Sequence, residues 1–352
     1  MRLYSLLLSV FFLVVSVSSA AQAGEKELPA TLGQKQAPAD IKPQPVLDFA
    51  TVQRMAEGGD VDSEGKLGLM YLQGDEVRAN PAKALEWFLK AAEHGNADAA
   101  YNAGTIYVTG KTGNIDYNKA AALFLKAAQI GDKMEAEAYL GIMYENGNGV
   151  KQDYAAAKKW YQRAAEQGDV TSESHLGVIY AKGLGGEQNY KKAAELFSDA
   201  ADQGDPDART YLGFLYADGL GVPQSASKAA MWFLRAAKQG NSTAQVNIAS
   251  LYHEGQGIGW DFGEALKWYQ KAAEQGRADA QYHLGMMYYN GEGTRVDYIE
   301  AYAWLSVADA QGYPGAGKMR DQLAASFTPN DLTSSQDRFN NYNKKYGTSV
   351  QQ

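Results

Sequence analysis

The chain of 352 residues contains no cysteine, which excludes disulfide bonds, thiolate metal ligands and cysteine nucleophiles. Histidine is scarce: there are four, and no two lie within five residues of each other, so the sequence holds no local zinc-type pair. Positive charge is in deficit, with 33 Lys and Arg against 41 Asp and Glu. Because nucleic acid and anionic membranes both attract a basic face, this balance argues against either partner. We predict no metal and no other cofactor.

A long apolar stretch occurs only at the N-terminus. Residues 6–17 are almost wholly apolar, follow Arg2, and precede a small-x-small sequence at residues 21–23. This pattern predicts a cleaved signal peptide at residues 1–23, because the stretch is short for a spanning helix and no charge cluster follows it. An uncleaved membrane anchor is the alternative. We therefore expect a mature chain that is periplasmic or secreted and does not span a membrane.

A glycine followed three residues later by tyrosine recurs along most of the chain. The period is 36 residues with one step of 37, and in one copy Ala249 replaces the glycine. The glycines are Gly68, Gly104, Gly141, Gly177, Gly213 and Gly285. Seven copies in this register indicate an internal repeat, which must be recognised before any other element is assigned.

The first half of each copy predicts a helix with an apolar stripe. In residues 136–145 the stripe comprises Ala136, Leu140, Met143 and Tyr144. Glycine in the middle of a helix costs about 1 kcal/mol relative to alanine. We therefore expect the repeated glycine to leave room for the backbone or a large ring of a neighbouring helix. A second glycine, six residues on, is the expected end of the helix.

The second half of each copy predicts another helix. It begins at a residue that favours the N-cap position, has alanine four residues later, and carries large rings that we expect to fill the gap between one hairpin and the next. The N-cap residues are Asn80, Asp116, Asp153, Asn189, Ser225, Asp261 and Asp297.

A single helical hairpin cannot bury its apolar face, whereas stacked hairpins can. The sequence therefore predicts an all-α fold, a right-handed α-solenoid of about seven hairpins over residues 60–312. Residues 48–59 are predicted to form an N-terminal capping helix, and residues 313–352 to form C-terminal capping helices. The proline-containing stretch at residues 24–47 is predicted to be a flexible linker.

Residues 136–168 read A-xxx-LG-xx-Y-xx-G-xG-V and then D-xx-xA-xx-WY-xx-AAEQG. In this pattern the chain resembles the Sel1-like repeat family, a branch of the tetratricopeptide-type α-solenoids, over residues 60–312. The resemblance implies an adaptor that holds other proteins, although a fold alone does not fix a function. Exported bacterial members of that family are associated with envelope complexes, exopolysaccharide export or its regulation, and host contact, so the resemblance implies a role of that kind. The cysteine-rich branch linked to β-lactam binding is not a guide here, because this chain has no cysteine.

The resemblance implies a binding face, because the first helix of a tetratricopeptide-type hairpin lines the concave groove with the side opposite its inner stripe. On that side the residues vary between copies, as a surface that recognises a peptide or partner helix requires. The predicted protein-binding residues are Phe214, His253, Tyr282, Met286 and Tyr289. An alternative stays open, namely that these side chains pack against neighbouring hairpins.

No catalytic constellation emerges from the sequence. Gly110-Lys111-Thr112 lacks the earlier glycine of a phosphate-binding loop and follows a helix. His175 and His283 share one repeat position but lie three repeats apart, too far to share a metal. We therefore predict a non-enzymatic, exported scaffold that binds envelope or extracellular proteins. The alternatives are a glycan- or peptidoglycan-binding module or enzyme, for which Trp260 is a candidate contact, and a secreted host-interaction factor.

Overall fold

The computed structural model describes residues 47–347, and that range forms 17 helices and no strands. The helices are α1 (Phe49–Glu57), α2 (Val61–Gln73), α3 (Pro81–Glu93), α4 (Ala97–Thr109), α5 (Tyr117–Gly131), α6 (Met134–Asn146), α7 (Tyr154–Glu166), α8 (Val170–Lys182), α9 (Tyr190–Asp202), α10 (Pro206–Asp218), α11 (Ala226–Lys238), α12 (Ser242–Glu254), α13 (Phe262–Glu274), α14 (Ala278–Asn290), α15 (Tyr298–Ala310), α16 (Ala316–Ala324) and α17 (Pro329–Tyr346). The predicted signal peptide, and the predicted linker up to residue 46, lie outside the described residues.

The described residues divide into two compact units at the boundary between residues 131 and 132, so α1–α5 belong to the first and α6–α17 to the second. From α2 to α15 the helices pair into seven antiparallel hairpins. Within each unit, the second helix of a hairpin packs against the first helix of the hairpin that follows. This arrangement confirms the predicted all-α fold of stacked helical hairpins.

The mid-helix glycine makes room for a side chain of the second helix. A Cβ atom at Gly141 would lie 2.5 Å from the Tyr161 ring, which is closer than real Cβ contacts allow. The same conflict occurs between Gly177 and Phe197 at 2.6 Å. The expected role of the glycine is therefore confirmed. These rings lie against the glycine of their own hairpin and also stack on a ring of the next hairpin, so the expectation that they fill the gap between hairpins describes only part of their packing.

Each hairpin closes through the backbone at its turn. A glycine such as Gly147, at φ 74°, ends the first helix in the left-handed region. The N-cap residue of the second helix then donates its backbone N–H to the carbonyl of the repeated tyrosine, as Asp153 does to Tyr144 at 2.9 Å. This bond recurs in all seven hairpins. The predicted N-cap residues are confirmed, since each accepts a backbone N–H of its own first turn through its side chain.

A polar contact joins the two helices of most hairpins at their other end. In six hairpins a first-helix residue contacts a residue 30 positions later at 2.5–2.8 Å. The pairs are Glu64–His94, Glu137–Gln167, Glu173–Gln203, Arg209–Gln239, Gln245–Gln275 and Gln281–Gln311. In the remaining hairpin both positions are apolar, Ala100 and Ile130. The two positions therefore change together, as pairing of buried polar groups requires.

The second helices carry a tryptophan in five hairpins, and three of these tryptophans are buried. A Lys or Arg three residues later lies 4.1–5.2 Å from the ring centroid in four of them, as Lys271 does over Trp268. In the last hairpin Val307 stands at that position. There α17 covers Trp304 instead, with the ring of Tyr342 stacked on it at 4.5 Å. The final repeat is therefore adapted to the helix that covers it.

We predict that Gly141→Ala lowers the free energy of unfolding by about 1–3 kcal/mol, because the added methyl group must displace the buried Tyr161 ring. Helix propensity alone predicts the opposite sign, a gain of about 1 kcal/mol. Gly65→Ala is the control, since its Cβ would meet only the Asn96 amide, at 3.3 Å. Thermal unfolding followed by circular dichroism measures both variants, and a melting temperature of Gly141→Ala at or above wild type would contradict the packing role.

Candidate functional site

An exposed apolar surface lies at the turns of the sixth and seventh hairpins. We call it the aromatic edge and define it by Trp260, Phe262, Tyr289, Val296 and Tyr298. Their exposed fractions are 76%, 41%, 36%, 50% and 49%, and they account for five of the seven exposed large hydrophobic side chains that the structure describes in the second unit. Exposed apolar side chains gathered in this way make the surface a candidate interaction site.

The aromatic edge is continuous across two turns. The His253 ring lies edge-on to Phe262 at 5.1 Å, and its Nε2 atom lies 2.8 Å from Glu292 Oε2 in the next hairpin. Tyr289 and Tyr298 bring their rings within 5.6 Å of each other. The turn of the seventh hairpin also meets the start of α13 directly, since a Cβ at Gly293 would overlap the Phe262 carbonyl. The two turns therefore form one surface.

Two of the five residues of the aromatic edge, Trp260 and Val296, occupy one variable position, the residue before the N-cap. In the third, fourth and fifth hairpins this residue is glutamine, and its side-chain amide donates to a carbonyl at the end of the first helix at 2.7–2.8 Å. These residues are Gln152, Gln188 and Gln224. In the sixth hairpin Trp260 takes the position and lies over Gly255, and in the seventh Val296 lies over Gly291. A polar seal is thus replaced by an exposed apolar side chain.

The five predicted binding residues fall in three environments. Tyr289 is part of the aromatic edge, and His253 packs against its Phe262. Tyr282 and Met286 pack with the cluster around Tyr302, whose other members come from the seventh hairpin and the C-terminal helices. Phe214 lies edge-on to Phe233 at 5.1 Å. Tyr282, Met286 and Phe214 are half-buried, so the open alternative of packing describes much of their surface. Binding by all five stays a prediction.

A polar cluster joins the third and fourth hairpins. The Tyr161 hydroxyl donates to Glu145 Oε2 at 2.6 Å, and His175 Nδ1 lies 3.1 Å from the same oxygen. The His175 ring also stacks on Tyr161 at 4.9 Å. His283 occupies the equivalent position and stacks on Tyr269 at 5.0 Å. The sequence singled out both histidines but not these partners, which belong to the preceding hairpin.

Burial and hydrogen bonding set the protonation of this cluster. Burial opposes ionisation of Glu145, but the hydrogen bond and charge of His175, with the Tyr161 hydroxyl, hold the pKa of that carboxyl below its ordinary value. Burial and the neighbouring carboxylate raise the pKa of Tyr161 far above its usual range. Burial lowers the pKa of His283. The ionised Glu145 carboxylate and the neutral Tyr161 hydroxyl therefore form a stable hydrogen bond. This arrangement favours a structural role in packing rather than proton transfer.

Glu145 gives a pH-dependent prediction. Because its folded pKa is depressed, its ionised form stabilises the fold above the ordinary value of 4.5, and this contribution is lost as the pH falls through the folded pKa. We expect Glu145→Gln to unfold more easily than wild type at pH 6, with the difference shrinking below pH 4.5. Urea unfolding between pH 3 and 7 measures it. Glu187→Gln, in an exposed turn, is the control, and a difference that is constant with pH would contradict the assignment.

Two further observations bear on the kind of site. No three His, Asp or Glu side chains between residues 47 and 347 group in a way that could hold a metal ion. In the same part of the chain, no helix has both the length and the apolar character needed to cross a bilayer.

Comparison with known proteins gives a consistent family signal. The Sel1 repeat model matches seven consecutive segments: residues 61–96, 97–132, 135–169, 171–205, 206–241, 242–276 and 278–313. Each matched segment holds one of the seven hairpins. A comparison with curated protein sequences gave no significant match.

Solved structures give the same signal. A Sel1 repeat protein from Oxalobacter formigenes is 34% identical, with a TM-score of 0.68 over 78% of this chain and 80% of that chain. A protective antigen of uropathogenic Escherichia coli with an SLR fold is 27% identical, with a TM-score of 0.40 over 85% of this chain and 87% of its own. A Sel1 repeat protein from Klebsiella pneumoniae is 22% identical, with a TM-score of 0.27 over 78% and 99%. Only the first superposes well enough to support an argument.

Proposed function

This chain belongs to the Sel1 repeat family, and on that premise we propose that it is an exported, non-enzymatic scaffold that binds a partner protein at its aromatic edge. The Sel1 repeat solenoid is a protein–protein interaction fold. Hairpins of such a fold present successive turns and helix faces, on which residues that do not pack are free to vary. To this family role the proposal adds the surface that binds the partner and the export of the chain from the cytoplasm.

The observation that carries the proposal is the exposure of the aromatic edge. Aromatic side chains are enriched at the centres of protein interfaces, where they bury a large area at a small cost in conformational entropy. Trp260 leaves 76% of its surface in contact with solvent, although it is the largest side chain of its turn. Glutamine at the same position of three other hairpins is also exposed but is polar and hydrogen-bonds the turn, so those hairpins place no apolar side chain in solvent there. The apolar substitution is therefore not needed for folding.

The non-enzymatic part of the proposal is supported by the polar clusters. In the cluster most similar to a catalytic group, Glu145 Oε2 is engaged by both Tyr161 and His175. The buried carboxylate of Glu137 likewise meets Arg163 and Gln167 within its hairpin. These groups are occupied in holding helices together, which leaves no free base beside a free nucleophile among them.

The exported part of the proposal is supported by the sequence of residues 1–23. A cleaved chain in the periplasm and a cleaved chain in the medium would both agree with it. Fractionation of the producing cell and the mass of the recovered protein decide between these locations, and they separate an envelope scaffold from a secreted host-interaction factor.

A glycan-binding module is the second candidate. An exposed indole can stack on a sugar ring, and Trp260 with Phe262 offers two rings on one turn. This candidate requires binding to soluble envelope oligosaccharides that is lost when Trp260 is replaced.

We predict that a photo-crosslinking phenylalanine analogue placed at position 260 captures one defined protein in the producing cell. The same analogue at position 224, the equivalent turn of the fifth hairpin, is expected to capture little of it, because that turn has Ala226 where the sixth hairpin has Phe262 and therefore lacks the neighbouring ring. The double variant Trp260→Gln/Phe262→Ala reproduces Gln224 and Ala226 of that hairpin. We expect it to weaken binding of the purified, identified partner at least tenfold, since a central aromatic contact is worth about 2 kcal/mol.

Calorimetry with the purified partner measures the loss of affinity, and circular dichroism checks that the double variant is folded. Equal capture from positions 224 and 260, or wild-type affinity in the double variant, would remove the aromatic edge from the proposal. Saturable binding of an oligosaccharide that depends on Trp260, without protein capture, would favour the second candidate.

A further inference from the structure

The two turns of the aromatic edge are strongly acidic. Residues 253–264 and 289–300 hold six carboxylates and one cation, Arg295. The carboxylates belong to Glu254, Asp261, Glu264, Glu292, Asp297 and Glu300. The equivalent segments of the three preceding hairpins, residues 145–156, 181–192 and 217–228, together hold four carboxylates and five cations. Apolar exposure and negative charge therefore coincide in the same two hairpins.

Three of the six carboxylates have a basic side chain close by, Glu264 with Lys267, Glu292 with His253 and Glu300 with Arg338. The other three belong to Glu254, Asp261 and Asp297. Asp261 lies between Trp260 and Phe262 in sequence, is exposed, and caps α13 by accepting the Glu264 backbone N–H. Glu254, also exposed, accepts only the Ser250 hydroxyl. Asp297 lies between Val296 and Tyr298, and its contact with Arg338 is long, at 3.9 Å. These three side chains therefore place carboxylates on the surface around the exposed rings without a short contact to a Lys or Arg of the described residues.

Elsewhere in the chain, rings of this kind are covered by cations. Lys and Arg side chains lie over tryptophans of the second helices and over several of the repeated tyrosines. Among the described residues, no Lys or Arg lies over a ring of the aromatic edge. A cation beside an exposed indole gains both from the ring and from nearby carboxylates. The rings of the aromatic edge are thus free to form with a partner the cation–π contact that other rings form with Lys or Arg of this chain.

From this charge complementarity we infer that the aromatic edge binds a cationic segment of a protein, one that carries Lys or Arg beside an apolar or aromatic anchor. This inference rests on the proposed function and specifies the partner's chemistry. The anchor packs on Trp260 and Phe262, while the cations reach Glu254, Asp261 and Asp297. The negative charge around the aromatic edge repels acidic segments and speeds the association of cationic ones. Added salt screens this attraction and therefore slows association.

Selection from a displayed library of random dodecapeptides against the purified full chain tests this inference while the natural partner is still unidentified. We expect the selected peptides to be enriched in Lys and Arg together with Leu, Phe, Tyr or Trp. We also expect at least tenfold weaker affinity at 500 mM than at 50 mM NaCl, because surface charge pairs are screened at high salt.

Two variants separate the role of the charges from the role of the rings. The charge variant, Glu254→Gln/Asp261→Asn/Asp297→Asn, removes three negative charges and keeps both N-caps, since asparagine caps as well as aspartate. We expect it to bind the selected peptides roughly tenfold more weakly. The ring variant, Trp260→Gln/Phe262→Ala, is expected to abolish binding. Asp153→Asn/Asp218→Asn makes the matched change at equivalent positions of the third and fifth hairpins and should leave affinity unchanged.

Each opposing outcome has a distinct meaning. Selection of neutral or acidic peptides, or full affinity in the charge variant, overturns the cationic partner while leaving the aromatic edge a protein-binding surface. Affinity that is unchanged in the ring variant overturns this inference and also counts against the proposed function. A library that yields no binder overturns the inference, while the cross-linking at position 260 still judges the proposed function separately.

Discussion

Six of the seven hairpins of this protein share one contact, in which a side chain of the second helix lies directly on the bare backbone of a glycine in the first; in the sixth hairpin Ala249 takes that position. The contact recurs from Gly68 and Phe88, at 2.6 Å to an added Cβ, to Gly285 and Leu305, at 2.9 Å. At these glycines an added side chain would overlap the packed group of the second helix, so that group or the helix would have to shift. The penalty of a mid-helix glycine is therefore offset by the burial of a large side chain.

The buried ring that packs on the glycine also contacts the next hairpin. In the second unit the His175, Tyr211 and His283 rings stack on the buried rings of the hairpins before them, at 4.9–5.0 Å. The glycine of one hairpin thus positions a ring whose flat face then packs against the hairpin that follows. Because each hairpin repeats the geometry, the turns of successive hairpins are equivalent, and a single variable residue before the N-cap is enough to change the surface there.

The polar residues that join the two helices of a hairpin occur in pairs. The first-helix position that holds Glu137 finds its partner 30 residues later in Gln167, and Arg163 meets the same carboxylate. Where one member is apolar, as at Ala100, so is the other, Ile130. A buried polar group without a partner is costly, so the pair is either present as a whole or replaced as a whole. By contrast, the carboxylates of the aromatic edge face solvent, where an unpaired charge costs little.

The sequence by itself determined the features that are local and periodic. The glycine, the repeated tyrosine, the N-cap residues and the seven hairpins follow from spacing, because each makes its contact within one 36-residue copy. The tertiary structure decided which variable side chains stay exposed. Tyr282 and Met286 are covered by helices after the last repeat, and Glu145 meets His175 from the next hairpin. Such burial depends on what packs from elsewhere in the chain, and helical periodicity carries no information about that.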